Sequence, residues 1–179
     1  MDYKVITEND FCSILKKENI DFSTLHSMFV SKLINTKTKV ATAESCTGGL
    51  ISKLLTDQSG VSAVFDCGVC SYANEIKEKI LGVDAETLST KGAVSPEVAA
   101  QMAQGVRRLA NADIGLSTTG IAGPSGGSEE KPVGTIFIGV STKKGTQVFK
   151  ADFSANFNNR DKNRQLAACL AIYCGFSSI

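Results

Sequence analysis

The chain of 179 residues has the length of one ordinary domain, which can bury a core without metals or disulfides. Hydrophobic residues make up 42% of it and charged residues 21%, a composition that excludes extensive disorder. The formal net charge is +1, and Lys and Arg occur only singly or in isolated pairs, so the charge pattern does not indicate a nucleic-acid partner.

The predicted elements begin after a segment without a clear period. Residues 1–22 mix charges with isolated apolar residues, which predicts a weakly ordered or short helical extension. An apolar stripe at spacings of three and four predicts a helix over 24–35. A short buried strand is predicted over 40–43, with a helix over 47–56 directly behind it.

The middle of the chain continues the alternation. Residues 63–72 are rich in β-compatible side chains and predict a strand, and 74–81 predict a helix that Gly82 ends. A further helix is predicted to start at Ser95 and Pro96, because serine caps a helix and proline suits its first position.

The last third predicts a strand over 113–119 that ends in a glycine-rich loop, 120–127. Strands over 133–142 and 146–153 have the pattern of a hairpin, and a final helix follows over 160–174. Helices on either side of the strands, together with the hairpin, predict a three-layer α/β/α sandwich with a mixed, mostly parallel central sheet.

The cysteines and the apolar segments predict in which cellular compartment the protein lies. Six cysteines are scattered through apolar contexts, which favours reduced thiols. Cys67 and Cys70 have the spacing of half a zinc site, but no second pair exists and His26 is the only histidine, so we expect no metal. No signal-peptide run or membrane span is found, so we expect a cytoplasmic protein without a membrane partner.

Two glycine-containing turns, 45–49 and 120–127, follow the ends of predicted strands and are expected to face one pocket. Neither matches a phosphate-binding loop or a dinucleotide fingerprint. Ser45 is a helix cap, a satisfied polar residue, or a nucleophile beside unpaired helix amides. Because the only histidine is distant, the base for a nucleophile would be a lysine or a carboxylate.

Several motifs occur in a fixed order. They are Ala43–Gly49 (AESCTGG), Ser71–Lys77 (SYANEIK), Gly92–Ser95 (GAVS) and Gly120–Thr135 with its GIAGP and GGSEEKPVGT elements. Over about residues 24–175 they resemble the CinA C-terminal domain family, which includes nicotinamide-nucleotide amidases. The resemblance implies an amidase domain over 23–179 that deamidates nicotinamide mononucleotide to nicotinic acid mononucleotide and ammonia in pyridine-nucleotide salvage. It implies a small-molecule nucleotide substrate and no cofactor.

The resemblance also implies catalytic roles. Ser45 would attack the carboxamide, Lys77 would act as base, and Tyr72 would orient Lys77 or relay a proton. The amides assigned to the oxyanion and the substrate are those of Cys46, Thr47, Gly48 and Gly49. The residues alone favour other interpretations: Lys77 lies among charged neighbours typical of a solvated helix face, and Tyr72 is typical of a strand-end core residue.

The substrate phosphate would need amide donors or a cation. The residues assigned to it are Thr119, Gly120, Gly123, Ser125, Gly126, Lys131 and Arg160. The glycines are equally typical of a connection that needs turns, and Asn158 stands where the family usually has glycine. A catalytically silent nucleotide-binding or protein-interaction module is the alternative function, and exposed helix faces favour a homodimer or larger homo-oligomer.

Overall fold

A single six-stranded sheet organises the protein in a computed structural model that describes residues 1–179. The strands are β1 (Lys4–Thr7), β2 (Val40–Glu44), β3 (Phe65–Cys70), β4 (Ile114–Gly120), β5 (Thr135–Thr142) and β6 (Gly145–Asp152). The helices are α1 (Glu8–Lys17), α2 (Leu25–Thr36), α3 (Leu50–Thr56), α4 (Asn74–Leu81), α5 (Ala85–Lys91), α6 (Pro96–Leu109) and α7 (Arg160–Phe176). Short 3₁₀ turns span Val61–Ala63 and Ser154–Asn156.

The strand order is β1-β6-β5-β4-β2-β3, with parallel and antiparallel neighbours. β2 runs parallel to both β3 and β4, whereas β5 is antiparallel to both β4 and β6, and β1 is parallel to β6. The carboxyl ends of β2, β3 and β4 therefore meet at one edge of the sheet. The segments that follow these three ends carry most of the predicted site residues.

Alternating side chains place two layers of helices on opposite faces of the sheet, which confirms the predicted α/β class with a mixed sheet. Leu116 of β4 belongs to the large core that α1, α2, α3 and α7 share. The next residue, Ser117, points the other way and donates its hydroxyl proton to the Ala99 carbonyl of α6 at 2.6 Å. This alternation is the two-residue period of a strand covered on both faces.

The N-terminal segment joins the sheet and core of the rest of the chain. Its helix α1 starts with a capping box formed by Thr7 and Asp10, and its residues Phe11 and Leu15 are buried in the large core. The sequence did not predict β1, which pairs with β6 along the sheet edge. A four-residue strand that buries only Ile6 is too short to produce a recognisable period.

Two further differences concern helices. The helix behind β2 begins at Leu50, not at residue 47 as predicted. Gly48 and Gly49 have φ values of 61° and 93°, which lie in the left-handed region and so keep these residues out of the helix. Helix α5, capped by Asp84, was not predicted either, because its seven residues bury only Leu88 and so carry almost no apolar stripe.

Candidate functional site

The turn after β2 is built around a buried carboxylate. Glu44 is 0% exposed, and one of its oxygens accepts from the Thr47 hydroxyl (2.7 Å) and the Ile51 amide (3.0 Å). The other oxygen accepts from the Ser52 amide and the Ser52 hydroxyl, both at 2.8 Å. Glu44 thereby caps α3 from the preceding strand, with its negative charge at the positive end of the helix.

This cap changes the predicted role of α3. We expected the first helix amides to receive an anion at Ser45, but those of Ile51 and Ser52 are already bonded to Glu44. Ser45 is not a helix cap, because four residues lie between it and Leu50 and the N-cap position is Gly49. The prediction of a helix cap at Ser45 is therefore wrong.

Unpaired backbone amides lie within the turn itself. The N–H groups of Cys46, Thr47 and Gly49 have no acceptor in the protein, whereas that of Gly48 donates to the Ser45 carbonyl at 3.2 Å. Ser45 is half-buried, its amide donates to the Thr118 carbonyl of β4 at 3.0 Å, and its hydroxyl is not engaged by any protein group. A free hydroxyl beside free amides is the arrangement that acyl transfer requires.

Arg164 of α7 braces the same turn. Its Nη2 and Nε atoms donate to the Thr47 carbonyl at 2.7 and 3.3 Å, and the Thr47 hydroxyl contacts that of Thr118 at 2.7 Å. The turn is thus held on its carbonyl side by a guanidinium and on its side-chain side by Glu44. Fixing both sides holds the free amides in one orientation, which is the condition for preorganised electrostatic stabilisation.

Cys46, the neighbour of Ser45, is a second candidate nucleophile because it carries a thiol. Its thiol is buried, and this burial raises its pKa to about 12, an effect to which the charge of Glu44 adds. A thiol with that pKa carries almost no thiolate near neutral pH and is a weak nucleophile. The serine hydroxyl is therefore the better candidate in this turn.

Lys77 lies on the buried face of α4, so the interpretation as a solvated helix residue is wrong. Only 1% of the residue is exposed, and its Nζ donates to the carbonyls of Ser71 (2.8 Å) and Tyr72 (3.2 Å). Burial lowers the pKa of Lys77, against the opposing effect of the acidic groups of Cys46 and Glu75. A lysine with a lowered pKa is suited to act as a base.

Tyr72 and Arg160 meet across the site. Tyr72 is 67% exposed, so the interpretation as a core residue is wrong, and its hydroxyl accepts from Arg160 Nη2 at 3.1 Å. Arg160 Nη1 donates to the Gly123 carbonyl at 2.8 Å. The structure thus brings together a strand end, the glycine loop and the start of α7.

The remaining residues predicted for phosphate differ in what they offer. The amides of Gly123, Ser125 and Gly126 have no acceptor in the protein, and all three belong to the loop whose Gly123 carbonyl accepts from Arg160. The Thr119 hydroxyl donates to the Ala93 carbonyl at 2.6 Å, and Lys131 Nζ donates to the Lys91 carbonyl at 3.0 Å. Thr119 therefore has no hydroxyl proton left for an anion.

Close packing explains why position 120 is a glycine. It is the last residue of β4, and a Cβ atom there would come within 2.6 Å of the Ile136 Cα atom. Sequence reasoning missed Glu44, Arg164 and the buried hydroxyl of Ser71, which has no hydrogen-bond partner. Glu44 lay within the AESCTGG motif, but no local pattern indicates that a strand-end carboxylate caps the next helix.

Glu44→Gln is expected to lower the free energy of unfolding by about 3 kcal/mol, because an amide group turns a donor toward groups that must themselves donate. Urea denaturation measures this loss. Glu78→Gln, at an exposed position of α4, is the matched control and is expected to change stability by less than about 0.5 kcal/mol. Equal losses in the two variants would contradict the capping role.

No group of three or more His, Cys, Asp or Glu side chains is arranged to hold a metal ion. None of the helices has the length and apolar character needed to cross a membrane.

Comparisons with known proteins show what this chain is similar to. The model of the CinA C-terminal domain family matches residues 22–175. A protein of Caldanaerobacter subterraneus subsp. tengcongensis, named "Putative competence-damage inducible protein", is 52% identical over 145 residues, which cover 81% of this chain and 34% of that protein. A "CinA-like protein" of Desulfosudis oleivorans is 51% identical over 140 residues, which cover 78% and 33%. This chain thus spans only about one third of the length of these relatives.

Solved structures share the fold. The competence/damage inducible protein CihA from Agrobacterium tumefaciens superposes with a TM-score of 0.82 at 38% identity, over 86% of this chain and 92% of that chain. A CinA superfamily protein from Klebsiella pneumoniae superposes with a TM-score of 0.82 at 30% identity, over 88% and 97%.

Proposed function

This chain belongs to the CinA C-terminal domain family, and we propose that it is an amidohydrolase that converts nicotinamide mononucleotide to nicotinic acid mononucleotide and ammonia. One observation carries the proposal. A free serine hydroxyl and three free amides in one turn stand at the same sheet edge as a buried lysine with a lowered pKa. These are the parts of a serine–lysine acyl-transfer site.

The proposed reaction has two stages. In the first, the Ser45 oxygen bonds to the carboxamide carbon while neutral Lys77 takes the hydroxyl proton, and free amides of the turn stabilise the oxyanion. The C–N bond then breaks, and the proton held by Lys77 passes to the nitrogen, so that ammonia leaves. In the second stage, water attacks the acyl group and gives up a proton to Lys77. The bond between the acyl carbon and the Ser45 oxygen then breaks, the proton held by Lys77 returns to that oxygen, and the carboxylic acid is released.

Tyr72 has a supporting role in this proposal. Its carbonyl accepts from Lys77, and its hydroxyl accepts from Arg160, so one residue contacts both the proposed base and the proposed phosphate ligand. It orients Lys77 from the strand end and limits where Arg160 lies. We therefore propose Ser45 as the nucleophile, Lys77 as the base and Tyr72 as the residue that orients Lys77.

The phosphate is assigned to Arg160 and the glycine loop. Arg160 supplies the cation, and the free amides of Gly123, Ser125 and Gly126 supply neutral donors, a combination suited to an anion. We leave Thr119 out of this set because its hydroxyl proton already binds a carbonyl group. Lys131 stays a candidate, because only one of its three Nζ protons binds the Lys91 carbonyl. Arg160 has five N–H donors, and its two contacts in the protein leave others free.

Ammonia release from nicotinamide mononucleotide by the purified chain tests the function. We expect turnover of the mononucleotide, weaker turnover of nicotinamide riboside because it lacks the phosphate, and the weakest turnover of free nicotinamide. Binding of the mononucleotide without ammonia release would replace the enzyme with the nucleotide-binding module. Equal turnover of the mononucleotide and the riboside would contradict the phosphate site while leaving the amidase chemistry in place.

A further inference from the structure

A carboxylate in the N-terminal segment contacts the turn that precedes Arg160. Glu8 is the first residue of α1, and the family model begins only at residue 22. One Glu8 oxygen accepts from Asn156 Nδ2 at 2.7 Å, and the other accepts from Lys162 Nζ at 2.9 Å. Lys162 Nζ also donates to Asn156 Oδ1 at 3.0 Å, which closes a ring of three side chains.

This ring is connected to the glycine loop by the backbone. The Nδ2 atom of buried Asn163 donates to two carbonyls, that of Asn156 at 3.2 Å and that of Ala122 at 3.0 Å. Ala122 directly precedes Gly123, whose carbonyl holds Arg160. Hydrogen bonds joined by the backbone of Asn156 and of Ala122–Gly123 thus connect α1 to the guanidinium of Arg160.

The turn is held by polar contacts besides the ring: the Asn159 amide donates to the Asn156 carbonyl at 2.8 Å, and Asn159 Oδ1 accepts from the Lys162 amide at 3.0 Å. Its residues Phe157, Asn158 and Asn159 are exposed, and the Phe157 ring in particular is 58% exposed. Apolar packing therefore contributes little between Asn156 and Arg160. Where packing is weak, polar contacts decide the conformation of a segment. The contacts also affect Glu8 itself, since the hydrogen bond from Asn156 and then that from Lys162 lower the pKa of its carboxyl.

We propose that Glu8 is a positioning residue of the nucleotide site, which sets the place of Arg160 against the glycine loop through Asn156 and Lys162. For its effect on substrate, the inference rests on the proposed function. The N-terminal segment, for which no motif indicates a chemical role, would thereby determine how well this chain holds a phosphate-bearing substrate. No residue of that segment needs to touch the substrate.

Glu8→Gln in the full chain tests the proposal. Glutamine keeps one acceptor but turns its amide nitrogen toward a donor, so the ring opens. We expect the KM for nicotinamide mononucleotide to rise about three- to tenfold with kcat within about twofold, as for loss of one charge-assisted contact in a network. KM for nicotinamide riboside should stay unchanged, because it lacks the phosphate that Arg160 would bind.

Glu18→Gln is the matched control. Glu18 lies at the other end of α1 and accepts from the Tyr173 hydroxyl of α7 at 2.7 Å, so it also joins these two helices, but far from Arg160. This variant should keep the wild-type KM. A double-mutant cycle adds Glu8→Gln to Arg160→Met, where we expect Glu8→Gln to change KM by less than about twofold. An undiminished effect in that background would overturn the proposed connection to Arg160.

Amide hydrogen exchange of the ligand-free variants separates this inference from the proposed function. Glu8→Gln should speed exchange over residues 153–163, and Glu18→Gln should not. Faster exchange in a chain without amidase activity would uphold the positioning contact and refute the amidase. Amidase activity with wild-type exchange and wild-type KM in Glu8→Gln would refute the positioning role alone.

Discussion

Replacing Ser45 by alanine is expected to lower kcat for ammonia release by about 10³-fold or more, the scale of loss for a covalent nucleophile. Because the Ser45 hydroxyl makes no hydrogen bond within the protein, its removal should leave the thermal unfolding midpoint within about 2 °C of wild type. The KM for nicotinamide mononucleotide should change little, since the proposed phosphate contacts remain. Steady-state ammonia assays and a thermal melt measure both effects.

Cys46→Ala is the control for this experiment. The Cys46 thiol is buried with its pKa raised to about 12, so it should not act as the nucleophile, and kcat should fall less than about tenfold through lost packing alone. If Cys46→Ala abolished turnover and Ser45→Ala preserved it, the assignment of the nucleophile would be reversed. Mass spectrometry of rapidly quenched enzyme locates the acyl group in either case.

Replacing Lys77 by methionine is expected to lower kcat about 10²- to 10⁴-fold, the range for loss of a general base. Methionine has a similar length and suits the buried position without a charge. Lys79→Met is the matched control, because Lys79 is exposed on the same helix, and it should keep wild-type kcat. Equal losses in the two variants would indicate that the helix as a whole, rather than the Lys77 amine, was disturbed.

The pH dependence of the wild-type enzyme gives a second test of Lys77. A base must be neutral, and burial lowers the pKa of Lys77, so kcat/KM should rise with pH through a pKa below the ordinary lysine value of 10.5. In Lys77→Met, the residual kcat/KM should no longer show this rise with pH. If the same rise persisted in the variant, the titrating group would be another residue.

Stability should follow the same pKa with a defined sign. Between the lowered pKa of folded Lys77 and the ordinary value of the unfolded chain, the unfolded state binds more protons, so stability of the wild type rises with pH. Below the folded pKa, the buried ammonium costs stability. The unfolding free energy of Lys77→Met minus that of the wild type should therefore decrease as pH rises. Urea denaturation of both proteins at several pH values measures this difference.

Local patterns in the sequence were sufficient for several elements. The helix over 74–81 has its predicted bounds, and Ser95 caps the helix that starts at Pro96 as expected, with its hydroxyl accepting from the Val98 amide. The hairpin around Lys143 and Lys144 also forms as predicted. These features depend on side-chain periods, caps and turn residues that act over a few positions, so one segment contains the information.

The site required contacts that no segment contains. Arg160 meets Tyr72 across 88 residues of sequence, and Arg164 meets Thr47 across 117. The charged neighbours of Lys77 in α4 predicted an exposed lysine, yet α4 packs so that this side chain faces inward. Burial of one position on a helix depends on which surface the helix meets, and that is a property of the packed layers.

The sequence by itself thus determined the α/β class, most elements and the motif that places Ser45 after β2. The tertiary structure alone decided that Glu44 caps α3, that the free amides lie in the turn itself, and that β1 and α1 complete the sheet edge and core. The physical reason is the same throughout. Propensities and caps act along the chain, whereas burial, desolvation and long-range hydrogen bonds arise only when the strands have paired and the helices have packed.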